Sequence, residues 1–156
     1  MEPKLVDLLL AVQRGRVGFK AWAESSYYET RVKLENKTRR QIWIDVSRTG
    51  LISKTGESQR IGLCYPVGSE PGEYIQMITA GEEKEIFFYS RCLDQRGKPP
   101  SDGMEYMLLP ELLPDYAVFL LRQGVDQKKL WETIDHWGGD LRKISPIPVM
   151  VDKINL

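Results

Sequence analysis

Leu5, Leu8, Leu9 and Val12 recur at i, i+3, i+4 and i+7, the spacing of one apolar stripe along a helix. Pro3 suits the first turn of such a helix and Gly15 its C-terminal cap. A single stripe on so short a helix does not hold it in water, so it must dock on something. From Arg16 the period changes to two. Val17, Phe19 and Ala21 alternate with Arg16, Gly18 and Lys20, and within residues 28–35 Val32 and Leu34 alternate with Arg31, Lys33 and Glu35. Ile42, Ile44 and Val46 then alternate with Gln41, Trp43 and Asp45. Alternation of this kind predicts half-buried strands. The polar turn Glu35-Asn36-Lys37-Thr38 predicts that the second and third runs pair as an antiparallel hairpin. The expected inward set is Val17, Phe19, Val32, Leu34, Ile42, Ile44, Ile86 and Phe88, because a one-residue slip would expose all of it.

Residues 47–58 are polar, hold Gly50 and Gly56, and read as a loop. Further strands are expected at 59–65, 73–79 and 84–91. No long helix separates them, so the pattern predicts an antiparallel sandwich, with no parallel sheet. A Pro- and Gly-rich loop spans 93–103. A helix is expected from Pro114 or Asp115 to Gln123, stopped by Gly124. A second begins at Asp126 as N-cap, carries Leu130, Trp131, Ile134 and Trp137 on one face, and ends at Gly138-Gly139. That face is expected to pack on the sandwich or on the N-terminal helix. Ile147, Val149 and Val151 alternate once more, with Pro146 and Pro148 restricting any edge pairing. The fold class is therefore mainly β: an antiparallel β-sandwich with a short N-terminal helix and two C-terminal helices. It forms a single domain over 1–156, divided into helix 1–15, sandwich 16–92, connection 93–109, helical tail 110–139 and extended tail 140–156.

Composition narrows the function classes. The chain has 156 residues, enough for a self-sufficient core. Its 22 basic residues balance 22 acidic ones, which leaves no overall field for nucleic acid or an anionic membrane. The apolar run from Leu8 to Val12 is too short to span a bilayer, and the Arg14-Gly15-Arg16 that follows is unlike a cleavage site. These features imply a cytoplasmic protein. In that setting Cys64 and Cys92 are expected to be free thiols.

Candidate chemistry is sparse. A thiol nucleophile needs a base or a positive field beside it. The one histidine, His136, lies in the second C-terminal helix, and no nucleophile motif surrounds either cysteine. A small buried hydrophobe continuing the Ile86 and Phe88 face is the expectation for Cys92. Two cysteines and one histidine fall short of a metal site. Asp94 and Asp102 flank the Pro-rich loop as the only cation candidates, and a solvated loop is the default reading. Lys54-Thr55-Gly56-Glu57 and Gly138-Gly139 lack the glycine spacing of a phosphate loop. Lys37-Thr38-Arg39-Arg40 reads as a solvated basic turn, and Lys128-Lys129 does not extend it. Neither a catalytic set nor a cofactor is expected. The outward positions of Trp22 and Trp43, with Trp131 and Trp137 on the last helix, form the candidate interaction surface. Such side chains either sit beneath a covering helix or meet a partner, and Tyr27 and Tyr28 could join either role.

Three stretches carry a resemblance: Leu34-Glu35-Asn36-Lys37-Thr38 followed by Gly50, Cys92-Leu93-Asp94 before Pro99-Pro100, and Gln127-Lys128-Lys129-Leu130-Trp131. In this order they are similar to a family of small bacterial β-sandwich domains, common in cyanobacteria, whose function is uncharacterised. The likeness covers roughly residues 5–137. It implies an immunoglobulin-like domain without catalytic residues that binds or spaces other proteins. The expectation is thus a non-enzymatic protein-interaction or structural module with a protein partner, no nucleic acid and no membrane. The alternatives are an accessory subunit of a bacterial multi-component system, such as a protease or defence effector, and a hydrolase built on Cys64 or Cys92 with His136.

Overall fold

The computed structural model describes residues 5–24, 29–55, 58–94 and 100–136, the side chains of 133–136 excepted. The elements run β1 (Leu5–Asp7), α1 (Leu8–Gln13), β2 (Val17–Glu24), β3 (Glu29–Asn36), β4 (Ile42–Asp45), β5 (Gly50–Ser53), β6 (Ile61–Pro66), β7 (Ile75–Ile78), β8 (Glu83–Cys92), β9 (Glu105–Leu108), α2 (Asp115–Arg122) and α3 (Gln127–His136). The mainly β class, the N-terminal helix and the two C-terminal helices are as expected. No helix among the described residues is long and apolar enough to cross a membrane.

Alternation does its work in β2, β3 and β8. Ala21, Val32, Leu34 and Phe88 are fully buried, while their chain neighbours face outward. Val17, Val32, Leu34, Ile44, Ile86 and Phe88 share one core, and Phe19 and Ile42 pack against it half-buried. Cys92 ends the buried row of Ile86, Phe88 and Ser90 along β8. Ser90 is no misfit there, since Thr30 donates a 2.9 Å hydrogen bond to its hydroxyl.

The arrangement of the strands differs from the expected sandwich. Six of them close on themselves in the order β2-β3-β8-β6-β5-β9, and β1-β4-β7 form a separate small sheet. Closure depends on β5 and β9, two strands inside segments that read as loop and connection. β9 pairs antiparallel with both β2 and β5 and so joins what would have been two open edges. The expected hairpin is also corrected. β3 pairs with β2 and β8, whereas β4 leaves for the small sheet, parallel to β1 and antiparallel to β7. At the N-terminus, Leu5 to Asp7 belong to a strand, and the helix begins only at Leu8. Gly15 takes a left-handed φ of 72° after it, the conformation glycine permits at a helix end.

The helical tail sits on the outside of the barrel. Gly50 and Gly62 are cross-strand partners on β5 and β6. A Cβ on Gly50 would lie 2.5 Å from Leu109 Cδ1, and one on Gly62 would lie 2.6 Å from Leu121 Cδ1. The bare backbone at this pair lets leucines of the tail lie directly on the strands. They build a second core with Cys64, Leu93, Leu113, Ala117, Val118 and Leu130. Asp126 caps α3 as expected, its carboxylate accepting from the Lys129 N–H at 2.7 Å. Gln127 then clamps Cys92: its Oε1 accepts from the Cys92 N–H at 2.6 Å and its Nε2 donates to the Cys92 carbonyl at 2.7 Å. The Trp131 indole donates to the same carbonyl at 3.0 Å.

Candidate functional site

The three described tryptophans do not form one surface. Trp22 faces outward from β2 between buried Ala21 and Ala23, and what covers it is an arginine rather than a helix. The Arg31 guanidinium lies 4.5 Å from the ring centroid, a cation–π contact. Trp131 is half-buried and anchored to Cys92, so it holds the last helix in place. Trp137, Tyr27, Tyr28, the His136 and Ile134 side chains and the 140–156 tail lie outside the described residues.

Among the described tryptophans, half-buried Trp43 has neither a covering arginine nor an indole hydrogen bond to the backbone. In the small sheet, Val6 and Ile44 are register partners and both are buried, which fixes the inner face. Cross-strand neighbours share a face, so the row Leu5, Trp43 and Met77 lies on the opposite one. Leu5 is 49% exposed, and Ile75, two residues before Met77, is 42% exposed. Trp43 and Met77 are half-buried, so the apolar row across the three strands is partly open to solvent.

Where β4 begins, beside the end of antiparallel β7, the chain builds a basic notch. The Lys37 N–H donates to the Arg16 carbonyl at 2.9 Å, bringing the end of β3 beside the start of β2. Asn36 is buried and fixes the following turn. Its Nδ2 donates to the carbonyls of Arg40, Ile78 and Thr79 at 2.8, 3.0 and 3.1 Å, and its Oδ1 accepts from the Thr38 N–H and hydroxyl at 2.9 and 2.7 Å. The Leu-x-Asn-x-Thr stretch is therefore a scaffold that presents Arg39 and Arg40. With Arg16, Thr38, Gln41, Val6 and Ile42 they line a notch of about 370 Å³. None of the three arginines has an ion pair among the described residues. The sequence marks residues 37–40 as basic; Arg16, distant in sequence, joins them only through strand pairing.

The remaining candidates are placed as follows. Cys64 and Cys92 are free and buried, in different cores. Burial pushes both thiols up to about 12, which makes them poor nucleophiles. Asp94 is drawn inside, where the Arg60 Nη2 and Nε donate to its two oxygens at 2.9 and 3.1 Å. Asp102 is exposed, and no group of three metal-ligating side chains occurs among the described residues. Glu111, missed by sequence reasoning, is buried 3.9 Å from Arg60 Nη1, and neither of its oxygens has a hydrogen-bond partner among the described residues. Burial raises its pKa and Arg60 partly opposes that. A third polar group joins the small sheet to α2. Arg122 donates to the Ser47 hydroxyl at 2.9 Å, approaches Asp45 at 3.6 Å, and stacks over Tyr74 at 4.1 Å.

No family model, curated protein or solved structure matches this chain.

Proposed function

We propose that the chain is a non-enzymatic protein-interaction module that docks a partner protein at the end of its small sheet. The observation that carries this is a juxtaposition. The partly exposed row Leu5, Trp43 and Met77 crosses the small sheet beside the notch at the start of β4, which is lined by three arginines without an ion pair among the described residues. Apolar area left in water favours burial by association, and unpaired guanidiniums select a partner bearing negative charge. The occupant is accordingly a protein surface with apolar side chains bordered by an anionic group. Kinship with the bacterial immunoglobulin-like family and a cytoplasmic setting belong to this reading. The kinship is supported by the three motif stretches, which build the Asn36 turn and the Cys92 clamp, and the setting by the two free, buried thiols.

Site-specific photocrosslinking tests it. A photoreactive residue at position 5 or 77 is expected to capture one protein in cells, and one at exposed Lys128 is expected not to. With the captured protein purified, Leu5→Asp and Met77→Asp should each weaken binding by about tenfold or more, a loss of about 1.4 kcal/mol. Equal capture from all three positions, or binding indifferent to both substitutions, would overturn the assignment.

A further inference from the structure

We propose that the notch lined by Arg16, Arg39 and Arg40 is a pocket for a phosphate-type oxyanion, carried by a phosphorylated side chain or by a small phosphate monoester. The inference deepens the reading of this end of the sheet as a docking site and names the anionic group it takes.

The argument begins with charge. A guanidinium stays protonated at any physiological pH and offers donors in a planar fork that matches the oxygens of phosphate or carboxylate. Elsewhere Arg31, Arg48, Arg60 and Arg122 each have a carboxylate within 4 Å, Arg91 donates to the Val125 and Ser90 carbonyls, and Arg14 is exposed with no ion pair among the described residues. Arg16, Arg39 and Arg40 have none among the described residues, yet they line one concavity. Three like charges held together repel one another, so an anion entering between them relieves that cost. A single carboxylate carries one negative charge. A phosphate monoester carries up to two near neutral pH and three acceptor oxygens, which is the better match for three forks.

Shape and stiffness point the same way. A volume of about 370 Å³ sits at the lower end of small-ligand sites, which suits one compact group. It does not suit a nucleic-acid backbone, and the balanced net charge gives no wider field to hold one. Val6 and Ile42 supply an apolar wall for the carbon that bears the phosphate. The turn is fixed before any ligand arrives, because Asn36 makes five hydrogen bonds around it. A pocket ordered in advance loses less conformational entropy on binding.

The test is titration of the full chain with inorganic phosphate at constant ionic strength, followed by backbone amide NMR, with acetate and chloride as controls. Saturable shifts centred on residues 16 and 37–42 are expected with phosphate alone, tightening as pH rises through about 6 and the dianion forms. Arg39→Ala with Arg40→Ala should lower the affinity by about tenfold or more, whereas Arg14→Ala, just outside the notch, should not. A non-saturating response, equal shifts with acetate, or an unchanged affinity in the double variant would overturn the proposal. Phenyl phosphate and a phosphoserine peptide of otherwise uncharged residues then separate the two sources: tighter binding of the peptide assigns the pocket to a modified partner, and equal binding to a free monoester. Leu5→Asp should leave phosphate binding intact, so failure of the apolar docking row and failure of the pocket are read separately.

Discussion

Arg60 and the Arg39–Arg40 pair present the same functional group to opposite surroundings. Arg60 is 5% exposed and locked to Asp94 through two side-chain hydrogen bonds, with the Arg60 N–H donating a third at 3.0 Å. Arg39 and Arg40 stand exposed on a turn that is itself rigidly fixed. In the first region a charge is buried and its partner is supplied by the fold. In the second the scaffold is supplied and the partner is withheld. A buried pair is costly to break from one side, because the survivor is stranded away from water. An exposed cation on a fixed turn contributes little to folding and is free to serve recognition.

The sharpest way to break the comparison is Asp94→Ala. It removes both side-chain hydrogen bonds of Arg60, leaving Glu111 at 3.9 Å as its remaining buried carboxylate neighbour, and should lower unfolding stability by about 3 kcal/mol in denaturant titrations. A loss near zero, in the parent and in the Glu111→Gln background alike, would mean that Arg60 escapes to solvent and that the two regions do not differ in kind.

Glu111 sharpens the buried side. Its pKa is raised in the folded chain by burial, so the folded state holds this proton more tightly than the unfolded one. The stability linked to it is fully present below the unfolded value and is lost as pH rises through the folded value. Glu111→Gln removes that dependence, and the variant should gain on the parent as pH increases across this window. Asp7 tilts the parent profile in the same direction, raised by burial and by Asp45. The informative quantity is therefore the difference between the two unfolding curves, measured at several pH values. A difference that stays constant with pH would show that Glu111 does not titrate in this window.

The smallest effect belongs to the exposed side. Arg39→Ala with Arg40→Ala should change unfolding stability by no more than about 0.5 kcal/mol. A larger loss would make these arginines structural.

Strand existence was legible where alternation ran for several residues beside the core, as in β2, β3 and β8. Strand partners were not, because the pattern within a strand records which face is buried and nothing about its neighbour. By pattern alone the run from Ile42 therefore reads as the hairpin partner of β3 across its turn, whereas it pairs with β1 and β7. β5 and β9 are four residues each. One carries glycine inside a polar stretch and the other follows the Pro-rich loop, so neither offered enough period to register. β1 was hidden because Leu5 fits the helical stripe as well as a strand. At the site, Trp22 and Trp43 were correctly placed outward, but Arg31 in front of Trp22 and Arg16 in the notch come from strand pairing alone. The buried group of Arg60, Asp94 and Glu111 left no trace in sequence, where a charged residue reads as solvated until its partners are known.

The position of β9 also sets the order in which the molecule can be completed during synthesis. Its four residues are the stave that joins β2, near the start of the chain, to β5, near the middle. Until the ribosome has released residue 108, the emerging chain holds open strand edges at both ends of a curled sheet, and such edges invite pairing with other chains. The last barrel strand among the described residues is the one that seals β2, the first strand of that barrel, so a nascent chain keeps both edges open until β9 is made, and a chaperone acting on this protein would find its target there.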